Sequence, residues 1–322
     1  MHLVVYLPLL LPVVAAAAAR PLADRLPPAS ATWLLAASAI ALAGASSAVL
    51  GLLALTALVR IPLAAAIGHW SLHVVSSNDP TSLPVALAAC VLLAVAGGIA
   101  CRALWRRGSA LIAAGRQARR LPGTGKVVIT DDEAADAYTL PGWPCRIVVT
   151  SGMMRALSQP ERRVLLAHER AHAAWFHYLF TTAARLAAAA NPLLRPVASA
   201  VGYTVERWAD ERAAAITGDR PLAARAIARA ALATTAAPPR RSGPAAVLGA
   251  VTRAPSMRGA GPVPRRVAAL MGPPPRPRLL LLAAVVLLVA VSGVSALEAA
   301  RDLHALLEYA RAASTSPHPS GT

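Results

Sequence analysis

Four stretches of this chain are apolar for too long to be strands or surface helices. Residues 2–19 are almost uncharged, and residues 31–59, 83–103 and 279–297 repeat the pattern. About 20 apolar residues match the thickness of a bilayer's hydrocarbon core, and lipid offers nothing to an unpaired backbone N–H or C=O. Each run is therefore expected to cross a membrane as a helix. The first is expected to be retained rather than cleaved, since no positive charge precedes it and Arg20, Asp24 and Arg25 follow it. A composition of 56% hydrophobic and 15% charged residues lies outside soluble norms and agrees. Residues 180–203 are also apolar, but Arg185, Asn191, Pro192, Arg195 and Pro196 interrupt them, so a buried helical hairpin within reach of lipid is expected there.

Charge sets the orientation. Arg102, Arg106, Arg107, Arg116, Arg119, Arg120 and Lys126 crowd the end of the third run, and Arg276 and Arg278 precede the fourth. Basic residues collect on the cytoplasmic side, so the segment between the third and fourth spans is expected in the cytosol. The loop from Arg60 to Ser82 and the tail then face outward. The net charge of +17 comes without interleaved aromatics or a reader motif. Lipid headgroups explain it, and direct nucleic-acid binding is not expected. Gly123-Thr124-Gly125-Lys126 lacks the spacing of a phosphate loop, with Val127 where Ser or Thr belongs. Cys90, Cys101 and Cys145 form neither a disulfide framework nor a zinc pattern. His69 and His73 are four apart without an acidic companion, which reads as an interfacial helix.

In the cytosolic segment, His168-Glu169-Arg170-Ala171-His172 carries the chemistry. Two histidines four apart share a helical face and can bind one zinc, while the glutamate between them can act as base on the attacking water. A helix is expected here because Ser158-Gln159-Pro160-Glu161 has the capping-box pattern with proline in the first turn. Val164, Leu165, Ala167, Ala171 and Trp175 give it an apolar side. Zinc needs a third protein ligand, and Glu206, four residues before Asp210, offers one. Asp210 on the same face is placed to orient a ligand histidine. His177 falls off the His168 and His172 face and reads as a packing or polar neighbour. His177, Tyr178, Tyr203 and Arg212 remain candidates for stabilising the oxyanion.

The residues from about Val127 to Ala215 resemble the integral-membrane gluzincins, through Tyr138-Thr139-Leu140-Pro141-Gly142, Arg146 to Gly152, the His-Glu-x-x-His segment and Glu206-Arg207-Trp208-Ala209-Asp210. The likeness is nearest to the BlaR/MecR antirepressor peptidases, with the HtpX and CAAX prenyl protease type more distant. It implies one Zn2+ on His168, His172 and Glu206, with Glu169 as general base. It also implies a substrate-pairing edge strand, formed here by Arg146, Ile147, Val148, Val149, Thr150 and Ser151, and a protein substrate such as a winged-helix repressor. The large extracellular penicillin-binding domain of the beta-lactam receptors has no counterpart after the fourth span, so antibiotic sensing by that route is not expected.

The expected fold is a mainly α membrane protein of about four transmembrane helices, with a cytosolic α+β zincin domain inserted between the third and fourth. By residue this gives a three-helix region at 1–104, the peptidase at 105–233, a Pro/Ala/Arg-rich linker at 234–278, a fourth helix at 279–298 and a short outer tail at 299–322. Lys126 to Thr130 and Arg146 to Thr150 are expected as strands. The linker is expected to be loosely ordered, with at most short helices, and the tail to hold one short helix to about Ala313. Membrane-protein quality control of the HtpX type and a non-proteolytic signalling role are the alternatives.

Overall fold

A computed structural model describes residues 6–59, 83–236, 262–274 and 279–315. His69 and His73, the middle of the Pro-rich linker and the last seven residues lie outside them. The described chain is mostly helical. The helices α1 (Leu7–Arg25), α2 (Pro28–Val59) and α3 (Leu83–Arg120) are long and apolar enough to cross a membrane. The fourth expected span opens α10 (Leu279–Thr315), which continues unbroken through the region where a separate tail helix was expected.

At about 1.5 Å per residue, α2 with 32 residues and α3 with 38 are about 48 and 57 Å long, well beyond a hydrocarbon core of about 30 Å. The surplus is built into the protein body. Ser46 Oγ donates to Pro8 O at 2.7 Å, which sets α1 antiparallel to α2. Cys90 Sγ reaches Ala54 O at 3.6 Å, and a Cβ on Gly51 would meet Leu93, so α3 also runs antiparallel to α2. Against the same helix pack α6 (His177–Ala190) and α7 (Arg195–Thr217), joined through a 3-10 turn at Pro192–Leu194. This is the expected hairpin. Trp33 meets Phe180 edge to face at 4.6 Å, Asn191 Nδ2 donates to Ser46 Oγ at 3.1 Å, and Thr32 Oγ1 donates to Thr204 Oγ1 at 2.9 Å. Leu22, Leu35, Leu42, Ala184, Leu194 and Val201 fill the space between α1, α2, α6 and α7.

Beside this bundle lies a sheet of three strands, β1 (Val127–Thr130), β2 (Ala137–Leu140) and β3 (Arg146–Thr150), in the order β1-β3-β2. β3 is parallel to β1 and antiparallel to β2. All five of its residues are buried, because alternate side chains pack on opposite faces. Val148 joins Ala114 and Ala118 of α3, whereas Ile147 and Val149 meet Met153 and Leu157 at α4 (Ser151–Ala156). The main chain at Glu133 and Ala134 can lie against the start of α4 because residue 152 is glycine. A Cβ there would lie 2.0 Å from Glu133 O.

Two more helices complete the body. Helix α5 (Gln159–Ala174) starts as expected, with Ser158 N–H donating to Glu161 Oε2 at 2.8 Å and Arg229 adding a 2.8 Å ion pair. α5 and α7 pack with α8 (Arg220–Ala236) and α9 (Pro262–Met271) around Val164, Ala167, Ala213, Ala223 and Leu270. α9 belongs to the stretch expected as linker, yet Arg220 ties it down, donating to Ala269 O and Leu270 O while pairing with Glu211.

Candidate metal centre

α5 and α7 cross so that His168, His172 and Glu206 meet. His168 Nε2 and His172 Nε2 are 3.1 Å apart, and each lies 3.6–3.7 Å from a Glu206 oxygen. Bonds of about 2.0–2.1 Å in a tetrahedron place ligand atoms about 3.3 Å from one another, so this triangle can hold one Zn2+. Among the described residues these three form the group able to do so. A cavity of about 190 Å³ opens over them, bounded by Thr139, Glu169, Tyr178 and Ile227.

The outer nitrogens of both histidines are also held. His168 Nδ1 lies 2.9 Å from Asp210 Oδ1, as expected of Asp210. His172 Nδ1 lies 3.0 Å from His177 Nδ1. The placement of His177 off the histidine face is thus corrected, because α5 ends at Ala174 and Phe176 takes a left-handed φ of 49°, which folds α6 back onto the site. The tautomer that frees His172 Nε2 for a metal puts its proton on Nδ1, where His177 accepts it. Burial, with His172 beside it, lowers His177 to about 3, so it is a neutral acceptor. Its ring packs against Trp208 at 4.7 Å.

The largest surprise in the site is Arg266 of α9. Its guanidinium donates to Asp210 Oδ2 at 2.7 Å and Oδ1 at 2.6 Å, and lies 3.0 Å from Glu206 Oε2. Burial alone would raise both carboxyls, but the charge of Arg266 outweighs it and holds Asp210 and Glu206 below the usual carboxylate range. Arg266 is in turn pushed up against its own burial, chiefly by Asp210. Burial also works against a proton on His168, yet Asp210 and Glu206 together raise it to about 10, while burial lowers His172. Arg266 thus faces both carboxylates, and Asp210 and Glu206 in turn face His168.

Glu169, also buried, points into the cavity beside the triangle. Thr139 Oγ1 donates to its Oε2 at 2.9 Å and to its main-chain oxygen at 3.0 Å. This contact comes from β2, and the expectation for the substrate strand is corrected with it. Arg146 to Thr150 form the middle strand, paired on both sides, and Arg146 turns its guanidinium onto Gly123 O and Gly125 O. Ser151 begins α4. The strand that borders the cavity is β2, through Ala137, Tyr138 and Thr139. Of the oxyanion candidates, His177 and Tyr178 line the cavity, whereas Tyr203 stacks under Arg265 and Arg212 lies against Trp175.

No curated protein and no solved structure matches the chain. Residues 102–193, which run from the end of the third apolar run through β1 to β3, His168, Glu169 and His172, match the model of peptidase family M48, a family of zinc metallopeptidases.

Proposed function

We propose that the protein is a membrane-embedded, zinc-dependent endopeptidase. The observation that carries this is the joining of a three-ligand triangle to a carboxylate, Glu169, whose direction is set by Thr139. His168, His172 and Glu206 would hold one Zn2+, which when bound would supply Lewis acidity to the scissile carbonyl and a lowered pKa to the attacking water. Glu169 takes the proton of that water and returns it to the leaving amine. Asp210 and His177 keep the two histidines turned toward the metal. An extended substrate lies along β2, where main-chain pairing suits a protein rather than a particular side chain. The arginines at the end of α3 support a cytosolic cleft, and the resemblance to antirepressor peptidases supports a cytosolic regulatory protein, such as a transcriptional repressor, as substrate.

Glu169→Gln tests the reading. It is expected to keep zinc and fold, because the side chain is nearly isosteric and is not a ligand, while hydrolysis falls at least about a hundredfold. Undiminished cleavage by that variant would refute an endopeptidase of this mechanism.

A further inference from the structure

Arg266 reaches the metal centre from a helix of only 10 residues, so whatever holds that helix also holds the centre. α9 packs on α7. Tyr203, Glu206 and Asp210 are spaced three and four apart and share one face of α7, and α9 meets them with two consecutive residues. Arg265 stacks on the Tyr203 ring at 4.2 Å, while Arg266 takes the carboxylates of Glu206 and Asp210. Neighbouring positions on a helix are turned about 100° from each other, so both contacts are met in one rotational setting of α9.

Arg220 holds the end of α9, through Ala269 O and Leu270 O. Its start has a different anchor. Arg265 Nη2 donates to Asp24 Oδ1, in the last turn of α1. Asp24 is fixed in turn, because the buried Arg207 of α7 donates through Nη1 to Ala23 O at 2.7 Å. A ring of contacts thus runs from α7 through α1 to α9 and back to α7. The Asp24 and Arg265 side chains are 42% and 34% exposed, against 2% and 6% for Asp210 and Arg266. The outer pair can therefore be broken without stranding a buried charge, which the inner one cannot.

We propose that Asp24 is a positioning residue for the metal centre: by holding Arg265 it fixes the roll of α9, and with it the reach of Arg266 to Glu206 and Asp210. The end of the first apolar helix thereby helps to set zinc affinity. This inference rests on the metal triangle of the proposed function but not on hydrolysis.

The test uses the full chain in neutral detergent. Asp24→Asn keeps the shape and removes the charge, and is expected to weaken zinc binding about three- to fivefold in competition with a chelator, the scale of a partly exposed ion pair. In an Arg265→Met background the same substitution is expected to cost nothing further, because the partner is already gone. Arg25→Gln removes an exposed charge beside Asp24 and is expected to leave zinc binding unchanged. A second readout needs no metal. In the zinc-free chain, amide hydrogen exchange of residues 262–271 is expected to be several-fold faster in Asp24→Asn than in the wild type, and equal in the two chains that carry Arg265→Met. Unchanged zinc affinity in Asp24→Asn overturns the positioning role, whatever the exchange rates. So does an equal loss in both backgrounds, which would mean that Asp24 does not act through Arg265. A wild-type chain that binds no zinc overturns the metal reading itself, and the exchange data tell the two failures apart: a difference retains the hold of Asp24 on α9, and its absence overturns that hold as well.

Discussion

A guanidinium between Asp210 and Glu206 affects a nearby dication in two opposed ways, since it repels the ion and also aims the two carboxylates that hold the site together. Direction is expected to win, because Asp210 would otherwise be a buried charge without its strongest partner. Arg266→Ala is expected to weaken zinc binding by about ten- to a hundredfold, read by competition with a chelator. Arg266→Lys should recover only part, because a point charge cannot span both acids. Tighter zinc binding in either variant would mean that repulsion dominates. Thr139→Val is expected to leave zinc content unchanged while lowering kcat about tenfold, the scale of one hydrogen bond to a charged group. At this scale legibility followed distance along the chain. His168, Glu169 and His172 lie within one helical turn or so, and Glu206 precedes Asp210 by one turn, so spacing places each set on its own helix face, while the crossing of α5 and α7 is what joins the two sets. Thr139 and Arg266 reach the site from separate elements, 30 residues from Glu169 and 56 from Asp210, and no local pattern records that approach.

Helix starts were readable for the same reason, and the capping box of α5 carries its own prediction. Ser158 and Arg229 hold the Glu161 carboxyl below its ordinary range in spite of burial that would raise it. A depressed carboxyl stabilises the fold above its unfolded pKa of about 4.3, and that contribution disappears as pH falls through the lower folded value. Glu161→Gln is therefore expected to cost about 1 kcal/mol at pH 7, with the gap to wild type closing in acid below about pH 4. A gap independent of pH would assign the loss to shape rather than charge. Strands were only half readable. The β-branched run of β3 marks it as a strand, but a period of two says nothing about which strand lies beside it, and the family resemblance implied an edge where the centre lies. β2 has four residues between an acidic loop and Pro141-Gly142, too short to declare itself. α9 reads as linker by its prolines, yet Pro262 and Pro264 sit in its first turn, where proline is tolerated.

On the scale of the whole molecule, apolar run length picked out the three helices able to cross a membrane but not where a crossing would end. α2 and α3 run on into the protein body without a break, α2 packing against α6 and α7 and α3 against α6. The orientation is checked with reporters in the full chain: one active only in the cytosol is expected to work near Ser242, and one active only outside is expected to work after Pro317. The reverse result would move the cleft to the outer face. The position of Arg266 in the chain also bears on biosynthesis. A ribosome completes α1, α2 and α3 first, then both zinc-bearing helices, and releases Arg266 only some 56 residues after Asp210. Until then Asp210 and Glu206 lack the cation that sets them. On the proposed function, the nascent chain would thus emerge with its metal centre unfinished and become competent for hydrolysis only when synthesis has nearly reached the last helix.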